Sequence, residues 1–145
     1  TAGGHKMNVR GFTLIELMIT VGIAAILLLV AVPSMSQRLA TERLERSATE
    51  LASAYRFARS EAVKLTLPVV LQGTESGGWE VMADSKLLRQ AAAPAGGVVI
   101  KPFEPIRIAP TGSSRHTEIT LANRLGDLRV LCVAPSGQLL QGSCS

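Results

Sequence analysis

One carboxylate, Glu16, lies in an apolar run from Phe12 to Val32, the only ionisable side chain in those 21 residues. As a helix the run rises roughly 30 Å, the thickness of a bilayer core. A charged side chain at that depth costs a few kcal/mol, so it marks a functional position that usually has a partner. Lys6 and Arg10 supply a short basic leader, and Gly11 separates the leader from the apolar run. A secretory signal would place its small residues after the apolar region; here the small residue comes before it. The spacing therefore singles out the Gly11–Phe12 junction as well as Glu16.

Cys132 and Cys144 are the only cysteines. An anchor with a basic cytoplasmic leader puts the following domain outside the cytoplasm, where disulfides persist. A bridge between the two would close a short C-terminal loop, worth roughly 3 kcal/mol in the chain-entropy picture. The same residues also allow two free thiols. A metal site is disfavoured, because two cysteines without nearby histidines do not complete a zinc shell. His5 falls in the leader, which leaves His116, read as an exposed loop histidine in Ser114-Arg115-His116-Thr117. The chain has no nucleophile elbow, no phosphate loop and no metal-spaced carboxylates, so neither enzymatic chemistry nor a cofactor is expected.

The elements that position these residues follow from length and periodicity. The chain has 145 residues, 47% hydrophobic and 18% charged, with a formal net charge of +4. Beyond Val32 lie 113 residues, enough for one small domain. That part carries 13 basic and 10 acidic side chains, a mild excess that does not mark a nucleic-acid binder. Leu44, Ala48, Leu51, Tyr55, Ala58, Ala62 and Leu65 recur at spacings of four and three, one continuous helical stripe. Arg38, Glu42, Arg46 and Glu50 form an i,i+4 row of alternating charge. The reading is one helix from about Phe12 to Lys64, with Pro33 kinking it rather than ending it.

Pro68 marks a switch to period-two, turn-rich sequence. Strands are predicted at 68–72, 79–83, 86–90, 98–101, 106–109, 118–122, 128–133 and 138–141. Short turn segments between them, such as Gly77-Gly78, Asp84-Ser85 and Gly126-Asp127, imply hairpins and antiparallel pairing. The fold class is α+β: a long N-terminal helical spine, half membrane-spanning and half amphipathic, packed on a small, mostly antiparallel sheet domain.

The junction Gly11-Phe12-Thr13-Leu14-Ile15-Glu16-Leu17-Met18 resembles the type IV prepilin signal. The resemblance implies cleavage after Gly11 by a prepilin peptidase and methylation of the new N-terminal Phe12. It makes Glu16 the fifth residue of the mature chain, an assembly contact that the N-terminal ammonium of a neighbouring subunit neutralises. Three further groups of residues resemble the GspH/FimT branch of pilin-like proteins. These are Ala58-Arg59-Ser60-Glu61-Ala62-Val63-Lys64, then Gly78-Trp79-Glu80-Val81 with Ile106-Arg107-Ile108-Ala109-Pro110-Thr111-Gly112-Ser113, and finally Val133-Ala134-Pro135-Ser136-Gly137-Gln138-Leu139. The branch implies a pilin-like fold and three segments: a leader over 1–11, a transmembrane and assembly helix over 12–33, and a periplasmic domain over 34–145 that includes the lower half of the helix. The partners it implies are the prepilin peptidase, other pilin or pseudopilin subunits, and the inner membrane before the subunit reaches a pilus or pseudopilus tip.

Within the branch the leading expectation is a minor pilin or pseudopilin that primes assembly. The alternatives are a DNA receptor for natural transformation and a type II secretion pseudopilin. DNA binding in the branch is associated with a Gly-Arg-x-Arg motif near the C-terminus; the matching residues here are Gly137-Gln138-Leu139-Leu140, and both arginines are missing. Arg107, Arg115, Arg124 and Arg129 remain as candidate phosphate contacts, and aromatics, at 3%, are too few for base-stacking platforms. DNA is therefore the disfavoured partner.

Overall fold

The computed structural model of the chain describes residues 11–144. The expected leader, with Lys6 and Arg10, therefore lies outside the described residues, apart from Gly11. Contacts divide the chain between Ser36 and Gln37 into an N-terminal unit and a C-terminal unit. Helix α1 is assigned from Leu14 to Leu65.

In the N-terminal unit, Thr13 caps the helix. Its Oγ1 accepts from the Glu16 amide at 3.3 Å, and its carbonyl accepts from the Leu17 amide at 3.2 Å. Thr13-Leu14-Ile15-Glu16 is thus a threonine cap with glutamate at the third helical position, the pattern that satisfies free amides and favours negative charge at a helix start. Pro33 sits inside the helix, as expected. Every residue from Gly11 to Ser36 is exposed, and the segment is long and apolar enough to cross a membrane.

The C-terminal unit contains the rest of α1 and eight strands: β1 Val69–Gly73, β2 Trp79–Ala83, β3 Lys86–Ala91, β4 Val99–Ile100, β5 Ile106–Ile108, β6 Thr117–Ala122, β7 Leu128–Val133 and β8 Leu139–Gln141. They form two four-stranded sheets, ordered β3-β2-β1-β5 and β4-β6-β7-β8, with every pairing antiparallel. Asp84 and Ser85 both have positive φ, 45° and 66°, the conformation a two-residue hairpin loop requires between right-twisted strands. The β6–β7 turn is organised by the buried Asn123, whose Oδ1 accepts from the amides of Leu125 and Asp127, both at 2.9 Å.

The core joins the helix to both sheets. Leu44, Leu51 and Tyr55 pack with Leu71, Val81 and Ile106 from the first sheet, and with Ile119, Leu121 and Leu131 from the second. Ala40, Ala52 and Ala54 are buried in addition to the predicted stripe, because a helix meeting two sheets buries a wider face than one seam. Leu65 departs from the prediction and is 44% exposed. It is the last helical residue, and Thr66 then turns away with a φ of 55°. The Arg38–Glu50 row forms no ion pair; the ion pairs among the described residues are Lys64–Glu61 and Arg129–Glu45.

Candidate functional site

The chemistry-bearing residues fall into three places. The first is the start of α1. Phe12 is 76% exposed, just ahead of the Thr13 cap, and Glu16 lies in the first turn, surrounded in sequence by exposed Leu14, Ile15, Leu17 and Met18. A carboxylate on the first turn of an apolar helix can accept hydrogen bonds or an ammonium from outside the chain, and nothing in its own chain competes for it among the described hydrogen bonds and ion pairs.

The second place is where α1 meets two loops of the C-terminal unit. The Arg59 guanidinium donates through Nε to the Gly112 carbonyl at 3.0 Å and through Nη2 to the Ser136 carbonyl at 3.4 Å. One turn earlier, the buried Tyr55 hydroxyl donates to the Gly137 carbonyl at 3.2 Å and lies 3.2 Å from Ser114 Oγ. Three carbonyls of the two loops, those of Gly112, Ser136 and Gly137, therefore find donors on the helix. Gly112 and Gly137 have φ of 79° and 78°. A Cβ on Gly137 would strike the Gly112 carbonyl oxygen, so only glycine allows the loops to approach this closely. Three of the segments that resemble the GspH/FimT branch, far apart in sequence, thus meet in one latch. Sequence reasoning missed it, because an arginine on a helix reads as solvated until the loops that need its donors are in place.

The third place is the outer face of the second sheet. Cys132 and Cys144 are joined by a disulfide with Cα atoms 5.3 Å apart, and no free cysteine remains among the described residues. His116 is an exposed loop residue just before β6, as expected, and its ring nitrogen and the two disulfide sulfurs lie within 4.8 Å of one another.

The four arginines form two pairs rather than one patch. Arg107 and Arg115 flank the Ile108–Ser114 bridge, whereas Arg124 lies in the β6–β7 turn and Arg129 near it at the start of β7. The six residues of β6 separate the pairs by roughly 20 Å. Arg129 is paired with Glu45, whose hydrogen bond and charge hold the guanidinium above its ordinary range. Its charge is already matched within the chain, so it offers less to a phosphate.

Residues 47–137 match the family model described as type II transport protein GspH. Residues 6–32 match the prokaryotic N-terminal methylation motif. Two crystal structures of the type IV minor pilin FimU of Pseudomonas aeruginosa PAO1 share the fold. One has a TM-score of 0.62 at 19% identity and covers 71% of this chain and 90% of that one. The other has a TM-score of 0.58 at 18% identity, covering 69% and 93%. No curated protein matches the chain significantly.

Proposed function

Because the chain belongs to the GspH family and carries the prokaryotic N-terminal methylation motif, we propose that it works as a minor pilin or pseudopilin, a structural subunit that primes assembly of a type IV pilus-type fibre. The observation that carries this reading is the helix start: a capped, exposed apolar segment of α1 up to Val32 whose only charge is Glu16, soon after Gly11-Phe12. Such a surface is satisfied first by lipid and then by the helices of other subunits. The subunit is stored in the inner membrane with its C-terminal unit in the periplasm. The leader is removed at Gly11, Phe12 becomes the methylated N-terminus, and the helix moves from lipid into the helical bundle of the fibre. There Glu16 accepts the N-terminal ammonium of a neighbour and sets the axial step. The match to a type II transport family keeps a secretion pseudopilus as the second setting for the same mechanism.

Co-expression with a prepilin peptidase is expected to shorten the chain by its first 11 residues and to leave an N-methylated Phe12, read by intact-mass spectrometry and N-terminal sequencing. A leader left intact beside an active peptidase would reject this reading.

DNA is expected to bind weakly. The candidate arginines are split into two distant pairs, one member of which is already matched by Glu45, and affinity for duplex DNA follows the number of phosphates neutralised together. Titration of the protein with duplex DNA at two salt concentrations should give dissociation constants no tighter than the roughly 10⁻⁴–10⁻⁶ M of non-specific association. Submicromolar binding lost on substituting Arg107, Arg115, Arg124 or Arg129 would instead favour a DNA receptor.

A further inference from the structure

The outer face of α1 carries charges that nothing within the chain answers. Arg38, Glu42, Arg46 and Glu50 stand four residues apart, and all four are exposed. Leu44 and Ala48 belong to the core shared with the sheets. Two residues turn a helix by about 200°, so Glu42 and Arg46, on either side of Leu44, point away from that core. None of the four makes an ion pair among the described residues. Pairing along the row itself is poorly favoured, because Arg38–Glu42 and Arg46–Glu50 run base before acid, the weaker order within a helix. Glu45 differs, since Arg129 already holds it. The row is thus an alternating line of unanswered charge that changes sign every four residues, or about 6 Å of rise.

Such a line complements a parallel copy of itself only when displaced. In register it sets four like charges side by side, and a shift of eight residues leaves two like pairs. A shift of four sets Arg38 against Glu42, Glu42 against Arg46, and Arg46 against Glu50, all unlike. We propose that this face of α1 docks on the same face of a second copy of this chain, parallel and displaced by four residues. An antiparallel pair would also match the row. The choice of the parallel one rests on the pilin function proposed above, in which every copy enters the membrane in the same orientation. Phe12 and Glu16 are also four residues apart, so the offset that brings one N-terminus level with a neighbour's Glu16 is the offset that matches the row. Attraction at this offset and repulsion at zero and eight select one register among several that the apolar segment alone would accept.

The test uses two tagged full-length copies co-expressed in one bacterial inner membrane, Thr49→Cys in one and Ser53→Cys in the other, both at exposed positions of the same face. A short bis-maleimide should join them, and should join two Thr49→Cys copies less. Reversing the whole row in one copy, by Arg38→Glu, Glu42→Arg, Arg46→Glu and Glu50→Arg, makes every pair at this offset repulsive. Exposed pairs are weak singly, but three reversed together should lower the cross-linked yield by about tenfold or more. Reversing the row in both copies restores every unlike pair and should restore the yield. The doubly reversed sample also shows that the variant chain inserts and folds. Three results overturn the proposal: no Thr49→Cys to Ser53→Cys product, a yield unchanged by reversal in one copy, or no recovery on reversal in both. Processing at Gly11 and incorporation of Glu16→Ala test the pilin function without touching the row, so either can fail while the other stands.

Discussion

Glu16→Ala should insert into the membrane at least as well as the natural chain and yet fail to enter fibres. The two halves of this result have opposite signs for one reason. Removing the carboxylate lifts a cost of roughly 2.5–3.5 kcal/mol at the centre of an apolar helix, less near its end. In the proposed assembly contact it also leaves the neighbour's ammonium buried without a partner, and breaking a buried pair costs about 3–5 kcal/mol. Each 1.4 kcal/mol is a factor of ten, so incorporation should fall by roughly a hundredfold or more. Membrane fractionation gives the first half; cross-linking to partner subunits, or recovery in sheared fibres, gives the second. Glu16→Gln keeps the shape without the charge and should behave like alanine. Normal incorporation of either variant would remove Glu16 from the assembly contact and leave the apolar face alone to set the packing.

Gly137→Ala is expected to be the most damaging small substitution in the C-terminal unit. The new methyl enters at a φ of 78°, where a side chain costs about 1–2 kcal/mol. It also strikes the Gly112 carbonyl oxygen and crowds Arg59 Nε, so the loops must part. The Arg59 and Tyr55 hydrogen bonds are then stretched or lost, each worth about 1 kcal/mol. Together these give roughly 3 kcal/mol, or a fall in thermal midpoint of about 10–20 °C for a unit of this size. Trp79 fluorescence reports it. Gly126→Ala is the control. Its φ of 89° is equally unfavourable, yet nothing lies within 4 Å of the new Cβ, so it should lose only the backbone part. Equal losses in the two variants would mean that the meeting of the two loops contributes nothing.

Much of this was legible in the sequence, and the parts that were not share a cause. The helix and the eight strands announce themselves through local periodicity, and Pro68 marks the change from one period to the other. Local periodicity does not choose partners. That β1 pairs with β5 and β4 with β6, dividing the strands between two sheets, depends on pairings across long separations. The position of His116 is invisible for the same reason. Its closeness to Cys132 follows from the β6–β7 register, which aligns Glu118 with Cys132, and no spacing along the chain encodes that. Arg59 stands inside a family pattern, but its carbonyl partners lie 53 and 77 residues away. The Thr13 cap was readable in Thr13-Leu14-Ile15-Glu16 but was overshadowed by the cost of the glutamate beside it.

The Tyr55–Arg59 latch also bears on mechanics. A fibre subunit is pulled through its helix, so tension reaches the C-terminal unit at Gln37 and runs along α1. The latch lies roughly 27–33 Å further on, at the 1.5 Å rise per residue. Load is therefore shared along the buried flank of the helix before it arrives at the hydrogen bonds to Gly112, Ser136 and Gly137. Those bonds cross from the helix to two separate loops and must yield together rather than one after another. A subunit tied in this way resists sliding of its helix more strongly than peeling of its strands, which suits a part that transmits pull instead of merely occupying a place in the fibre.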